Sequence, residues 1–412
     1  MSETILTAPA RDLPPAFHRL AWSNLAAQSA EQVALAAAPI VAVLAMGAGA
    51  GETGLLQTAQ TLPFLLLAIP AGLLADRWSR RLLMTLAEGL RALSLLGILA
   101  CAATGLLSLP LLALFGFAGA AGTVAYSVAA PALVPALVPR ALLGLANGRI
   151  ELARTAAFAG GPALAGLLVG WTGATPAFAV AVLLSTAAAL LLRGLHEPAR
   201  IPAPARHPLR DLRDGTTFTL GHPLLLPMLL TQMVFNTAFF ILMAVFVPYA
   251  VQRLGLDAGE TGFTLAFYGA GMLAGALLAP RIMRCLRFGI VVAIGPVAGF
   301  IAAMVMVSTL WLPHPALACL AFLLIGAGPI LWTISTTTLR QAVTPAAMLG
   351  RVSALFTMAQ GCRPVGAGIG AAVSLLWSME ACLVAAATAF ALQAMILLAS
   401  PVPRLSALPS DT

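Results

Sequence analysis

The pentapeptide "AGETG" stands at Ala50–Gly54 and again at Ala258–Gly262, 208 positions apart in a chain of 412 residues. A second echo follows at an offset of 202. There "RIELARTAAFAGGPALAG" from Arg149 runs parallel to "RVSALFTMAQGCRPVGAG" from Arg351, setting Arg149 on Arg351, Pro162 on Pro364 and Gly166 on Gly368. The same landmarks recur in the same order at close to half the chain length. The chain therefore reads as two parallel repeats of equal orientation.

Composition says what each repeat is made of. The chain is 60% hydrophobic and only 9% charged, with a mean hydropathy of +0.98. A soluble domain carries roughly 25% charged residues, so this chain cannot cover a water-facing surface. Its apolar runs reach the length that crosses about 30 Å of hydrocarbon. Short alternating strands between turns, the mark of a membrane β-barrel, are absent. The prediction is an all-α membrane protein of twelve transmembrane helices in two six-helix repeats. The spans fall at 17–46, 52–76, 82–104, 108–135, 148–171, 174–194, 223–252, 259–284, 288–311, 315–340, 350–377 and 379–400. This gives a tail at 1–16, an N-terminal bundle at 17–193, a linker at 194–222, a C-terminal bundle at 223–400 and a tail at 401–412. The linker, "GLHEPARIPAPARHPLRDLRDGTTFTLGH", is the only long polar interior stretch, and its Pro and Arg content suits a connection. No cleavable signal peptide is expected, because residues 1–16 are short and polar, with Arg11, Asp12, Pro14 and Pro15.

Charge excludes several function classes. All 22 basic residues are arginine, so the lysine of a Walker A phosphate loop and of Schiff-base chemistry is missing. The net charge of +8 does not mark a nucleic-acid surface. Eighteen arginines fall on one side of the predicted spans, and only Arg253 falls on the other. The positive-inside rule places the rich side and both termini in the cytoplasm. Cys101, Cys285, Cys319, Cys362 and Cys382 are scattered without CxxC spacing, and the five histidines lack ligand spacing. No metal site, cofactor or enzymatic constellation is expected.

After the second span comes "GLLADRWSRRLLM", Gly72–Met84. It resembles the loop signature G-x-x-x-D-R-x-G-R-R of the major facilitator superfamily: Gly72, Asp76, Arg77, Arg80 and Arg81 match, and Ser79 stands where the family has glycine. "PALVPALVP" (Pro131–Pro139), Ala146 with Asn147, and "TPAAMLGRV" (Thr344–Val352) are similar to the branch of bacterial macrolide-efflux proteins and enterobactin exporters. "GGPALAG" (Gly160–Gly166) is similar to the antiporter motif of the fifth helix, departing at Ala157 and Ala165. The resemblance covers essentially the whole chain. It implies a monomeric secondary transporter of the bacterial inner membrane, exporting small amphipathic, drug-like or siderophore-like molecules against protons. Importers share the fold, so import is the alternative, with a non-transporting membrane sensor or scaffold behind it. The expectation for this loop is a cytoplasmic latch, closed when the cavity faces outward; the alternative is that Asp76 only balances Arg77, Arg80 and Arg81. Gly72 would let the second helix approach the eleventh, and Asp76 would meet the positive start of that helix and Arg351. At offset 208 Gly72 falls on Pro280 and Asp76 on Arg284, while Glu151 stands where the eleventh helix has Ser353. A charge-swapped latch of Arg284 with Glu151 is the expectation there.

Charge at bilayer depth costs roughly 2.5–3.5 kcal/mol on insertion scales, so each such residue needs a reason. Asn24, Gln28 and Glu31 share one face of the first helix, at i, i+4 and i+7. The first helix lines the cavity in the superfamily, so Glu31 is the candidate proton carrier. A structural hydrogen bond or a counter-charge for a cationic substrate is the rival role. Glu88 and Arg91 at i, i+3 are expected to brace the third helix. Arg154 and Arg363 lie on the fifth and eleventh helices, read as repeat partners facing the interface, with Arg363 pairing Glu31 or binding an anionic substrate group. Tyr126, Gln232, Phe235, Asn236, Trp332 and Thr336 complete the candidate cavity. The arginine that proton-coupled exporters often carry on the fourth helix is missing from "LFGFAGAAG" (Leu114–Gly122).

Overall fold

The computed structural model describes residues 13–139, 142–197, 208–345 and 348–409. Its fifteen described α-helices are α1 (Pro15–Met46), α2 (Ala50–Leu66), α3 (Ala68–Arg77), α4 (Arg80–Ala103), α5 (Leu109–Leu137), α6 (Leu143–Thr172), α7 (Ala174–Arg193), α8 (Pro208–Gly221), α9 (Leu225–Gln252), α10 (Ala258–Cys285), α11 (Phe288–Ser308), α12 (Pro315–Val343), α13 (Leu349–Met358), α14 (Cys362–Leu376) and α15 (Met379–Leu398). Ten of them are long and apolar enough to cross a membrane. The other two predicted crossings are each built from two shorter helices, α2 with α3 and α13 with α14. Pro70 and Pro364 explain both interruptions. Proline has no N–H, so the carbonyl four residues earlier loses its partner and the helix breaks there. Leu67 separates α2 from α3, and a 3-10 turn at Ala359–Gly361 separates α13 from α14. The two breaks face each other: a Cβ on Gly361 would lie 3.0 Å from Leu65 Cδ1.

The repeated pentapeptide opens α2 and α10. Each preceding helix is followed by a left-handed glycine, Gly47 (φ +69) at the end of α1 and Gly255 (φ +67) just beyond α9, 208 residues apart. Glycine alone adopts this conformation without a Cβ penalty. Ala48 N–H then reaches back to Ala42 O at 2.9 Å, and Leu256 N–H to Ala250 O at 3.0 Å. Two residues on, Gly49 and Asp257 cap the next helix. Their N–H groups donate to Glu52 (2.8 Å) and Glu260 (3.0 Å), and at Asp257 the cap is reciprocal, its Oδ1 accepting from the Glu260 N–H at 2.8 Å.

The last glycine of each pentapeptide lies where the two halves cross. A Cβ on Gly54 would sit 2.7 Å from Ala371 Cα on α14, and one on Gly262 2.4 Å from Pro162 O on α6. Small residues let backbones approach this closely in membrane proteins. Thr53 Oγ1 adds a bond across the same seam, donating to Ala244 O at 3.0 Å. These contacts lie at the end of the molecule remote from the described termini, called here the far end. Arg253, the one arginine expected on that side, pairs there with Glu380.

Each half has its own apolar core. Phe246, Phe322 and Phe390 centre one C-terminal cluster and Met228, Trp332 and Phe356 another, while two clusters around Phe17 and Phe178 fill the N-terminal half. One element was not foreseen: within the 194–222 linker, α8 packs on α13. Residues 1–12, 198–207 and 410–412, which include most of the N-terminal tail and part of that linker, lie outside the described residues.

Candidate functional site

A central cavity of about 260 Å³ lies between the halves. From the N-terminal half it is lined by Glu31 and Gln32 (α1), Gln57, Gln60, Thr61 and Phe64 (α2), Arg91 and Ser94 (α4), Thr123 (α5), and Arg154 and Phe158 (α6). Phe235, Asn236, Phe239 and Phe240 (α9), Tyr268 (α10) and Arg363 (α14) face them. A second chamber of about 350 Å³ is lined by the C-terminal half and by Arg154 of α6. It shares Arg154, Phe235, Asn236 and Arg363 with the first, and adds Gln232, Trp332, Thr336, Arg340, Phe356, Gln360 and Gln393.

One network organises the polar wall. Arg91 Nη1 donates to Glu88 Oε1 (2.6 Å) and Ala27 O (3.2 Å), and Nη2 donates to Thr123 Oγ1 (2.6 Å). Glu88 is fully buried, and its other oxygen accepts from Ser185 Oγ at 2.8 Å. Glu31 stands at the cavity end of this chain, 17% exposed, with Oε2 3.8 Å from Arg91 Nη2. Glu88 is therefore held on several sides, while Glu31 faces the cavity beside a guanidinium already engaged elsewhere. The expected Glu88–Arg91 brace is present. Arg91 also lines the cavity, so the third crossing contributes to the site.

The opposite wall is aromatic. Phe235 stacks on Phe239 (centroids 5.9 Å), Phe239 meets Tyr268 (5.3 Å), and Tyr268 meets Phe158 (5.7 Å). The Arg363 guanidinium lies 4.8 Å from the Phe64 centroid and 5.6 Å from that of Phe240, and its Nε reaches Asn236 Oδ1 at 3.5 Å. Cations gain from such ring faces, more so away from water.

Several expectations are corrected. Glu31 has Arg91, not Arg363, within ion-pair distance, although Arg91 is bound more closely by Glu88. Arg363 has no carboxylate within 4 Å among the described residues, because aromatic rings and Asn236 surround it. Arg154 is bound to Glu151 at i, i+3 (2.5 Å and 3.0 Å), so Glu151 is not free for Arg284. Arg284 Nε instead donates to Pro280 O at 3.1 Å. At offset 202 Arg154 falls on Phe356 and Arg363 on Gly161, so the two arginines are not repeat partners. Asn24 is buried, donating to Ile150 O at 3.5 Å, and neither it nor Gln28 lines either cavity. Tyr126 is packed into the N-terminal core among Leu20, Met84 and Leu133 rather than facing the cavity. Its ring satisfies the apolar bundle better than an open space would. Phe235 and Asn236 line both cavities, and Gln232, Trp332 and Thr336 line the second. Unforeseen were Gln57, Gln60, Thr61 and Gln393. The signal that found Glu31, a polar side chain inside an apolar span, would have found these too.

The loop signature is spread over two partners. Asp76 and Arg77 lie on α3, but their side chains fall outside the described residues. A Cβ on Gly72 would meet nothing within 4 Å, because the close approach of the second and eleventh crossings is made at Gly54, toward the far end. Ser79 caps α4, accepting from Leu82 N–H at 3.2 Å, and donates to Glu197 of the linker at 2.5 Å. Glu197 also accepts from the Arg80 and Arg81 N–H groups at 3.2 and 3.0 Å, and Arg81 Nη1 donates to Leu195 O. Burial pushes the Glu197 carboxyl up, but Ser79, the two backbone donors and the Arg80 charge outweigh it. They hold the carboxyl below the usual carboxylate range. Arg351 pairs with Asp214 of α8 at 3.1 Å.

Two helical bundles around a shared, partly charged cavity define a multi-pass membrane transporter. The chain belongs to the Major Facilitator Superfamily, whose family model matches residues 20–371. It is 30% identical over 307 residues to a protein named "Enterobactin exporter EntS" from Shigella boydii serotype 4 (strain Sb227), covering 73% of this chain and 71% of that one. The protein of the same name from Escherichia coli O1:K1 / APEC is 29% identical over the same shares. Among solved structures, the nucleoside transporter NupG is similar in fold, with TM-score 0.73 at 12% identity, covering 93% of this chain and 99% of that one. A bacterial homologue of the iron transporter ferroportin, in an inward-facing state, gives TM-score 0.71 at 16% identity over 94% and 99%.

Proposed function

We propose that this protein is a proton-coupled exporter of small amphipathic molecules, siderophore-like or drug-like, in a bacterial inner membrane with both termini cytoplasmic. The observation that carries the reading is Glu31, an ionisable carboxylate on the cavity wall beside Arg91. Deprotonated, Glu31 attracts the guanidinium; protonated, it releases it to Glu88 and Thr123. A substrate in the cavity competes for the same charges, which couples its binding to the proton. The two bundles exchange which end is open, and the site stays near the midplane between them. The far end is sealed by the glycine crossings, while Glu151 and Arg284 are engaged elsewhere than with each other. This arrangement fits the half-cycle that faces the cytoplasm. The relatives named as enterobactin exporters support export; the structural neighbours support the fold alone.

The test uses inverted membrane vesicles, acidified inside, to which macrolides, dyes and catecholate siderophores are added while the proton gradient is followed by fluorescence. A compound that dissipates the gradient with the wild-type protein and not with Glu31→Gln is the expected result. Equal dissipation by Glu31→Gln would remove the carboxylate from coupling. Uptake of the same compounds into intact cells, above a knockout strain, would favour import.

A further inference from the structure

The second chamber is lined by arginines with no carboxylate on its wall, whereas Glu31 stands on the wall of the central cavity. The arginines are Arg154, Arg340 and Arg363. Arg154 is neutralised by Glu151. Arg340 and Arg363 have no carboxylate within 4 Å among the described residues. The Arg340 guanidinium lies 4.9 Å from the Phe356 centroid, and its Nε is buried with no hydrogen-bond partner. A simple interfacial arginine would turn that donor to water. Gln393, 3% exposed, adds an amide whose Oε1 is buried and unpartnered. Such groups are costly to leave unsatisfied. A buried, unpartnered Arg340 Nε beside Arg363, with Glu31 acting on Arg363 only from the wall of the other cavity, calls for an anion between the two guanidiniums, while the Gln393 oxygen is left to accept from a ligand hydroxyl.

The remaining lining narrows the ligand. Thr333 and Thr336 already donate their hydroxyl protons to Pro329 O (2.8 Å) and Trp332 O (2.7 Å). Toward the chamber they offer lone pairs, which accept from hydroxyl groups. Trp332 supplies one apolar wall.

We propose that the C-terminal chamber is a second binding site, for a hydroxylated organic anion whose charge sits between Arg340 and Arg363. It rests on the transporter reading in one respect: the site would hold the polar, anionic end of the transported molecule, with the apolar end reaching past Asn236 into the aromatic cavity. Because Arg340 lies in the last turn of α12, the site extends from the midplane toward the end that holds the termini. A ligand entering from that side meets it first.

Trp332 is a built-in reporter, since it is 8% exposed while Trp22, Trp78, Trp171, Trp311 and Trp377 are each at least 46% exposed. The experiment titrates purified protein in phosphatidylcholine nanodiscs with glucose 6-phosphate, glucose, glucosamine and inorganic phosphate, reading tryptophan fluorescence. Glucose 6-phosphate is expected to give a saturable change that is lost in Trp332→Phe. Its affinity should fall at least tenfold in Arg340→Gln and recover in part in Arg340→Lys, which keeps the charge if the glutamine variant misfolds. Equal binding of glucose, unchanged binding by Arg340→Gln, or no saturable response would overturn the site. Equal affinity for inorganic phosphate would overturn the hydroxylated class. Loss of the response on adding phosphatidylglycerol would assign the chamber to a lipid headgroup instead. No proton gradient is present, so failure here leaves the coupling role of Glu31 standing, and failure of Glu31→Gln in vesicles leaves this site standing.

Discussion

Glu88 and Glu31 stand on either side of Arg91, yet their substitutions should differ. Glu88 is fully buried, so Glu88→Gln leaves the Arg91 charge without its short partner at 2.6 Å. Breaking a buried pair from one side costs about 3–5 kcal/mol, and a marked loss of thermal stability in detergent is the expected outcome. Glu31→Gln should keep the melting temperature within a few degrees while proton coupling disappears, because its contact to Arg91 is long. A second residue-scale prediction concerns acid. Glu197 has its folded-state carboxyl held below the ordinary value, so its contribution is present above that value and is lost as pH falls through the depressed one. Hydrogen exchange at the Arg80 and Arg81 amides should therefore quicken on acidification below the usual carboxylate range, and Glu197→Gln should remove the pH step. Charges inside spans were legible in the sequence because the bilayer makes them conspicuous. Their partners were not. Glu31 meeting Arg91 rather than Arg363 depends on how α1, α4 and α5 pack, and no spacing along one helix encodes that.

At the scale of elements, the repeated pentapeptide and the three residues before it make a turn, a cap and a crossing point. The crossing can be tested by tethering it. Gly51 lies against Leu375, since a Cβ on the glycine would fall 2.3 Å from Leu375 Cδ2. Gly51→Cys with Leu375→Cys should cross-link on oxidation, arrest transport, and regain it on reduction. Gly54→Val should weaken transport by forcing α2 from α14 at Ala371. A complementary prediction addresses α8. Asp214→Asn removes the pair that ties α13 to the linker helix, and faster substrate-independent closing of the terminal end, read by cysteine accessibility on α13, is expected. The two broken crossings were predicted as single spans, since hydropathy runs unbroken through Leu67 and Gln360. Pro70 and Pro364 carried the signal. Proline is common enough in membrane helices, however, that position alone does not separate a break from a helix that absorbs it, as α6 absorbs Pro162.

For the whole molecule, the two-fold sequence repeat was enough to anticipate twelve crossings in two bundles. Parallel repeats of equal hydropathy and landmark order admit few other arrangements. The size and wall chemistry of the two cavities were beyond it, because they depend on which helix faces turn inward. The central claim is that the bundles rock against each other under control of Glu31. Spin labels on Trp171→Cys and Trp377→Cys would report the far end, and labels on Trp78→Cys and Leu286→Cys the terminal end, each pair spanning the two halves at exposed positions. Distances would be measured by double electron–electron resonance in nanodiscs at acid and alkaline pH. The account predicts that one end lengthens as the other shortens between the two conditions, and that Glu31→Gln holds a single distribution at both. Far-end and terminal-end distances that stay fixed, or that shift identically with and without the Glu31 carboxylate, would contradict it.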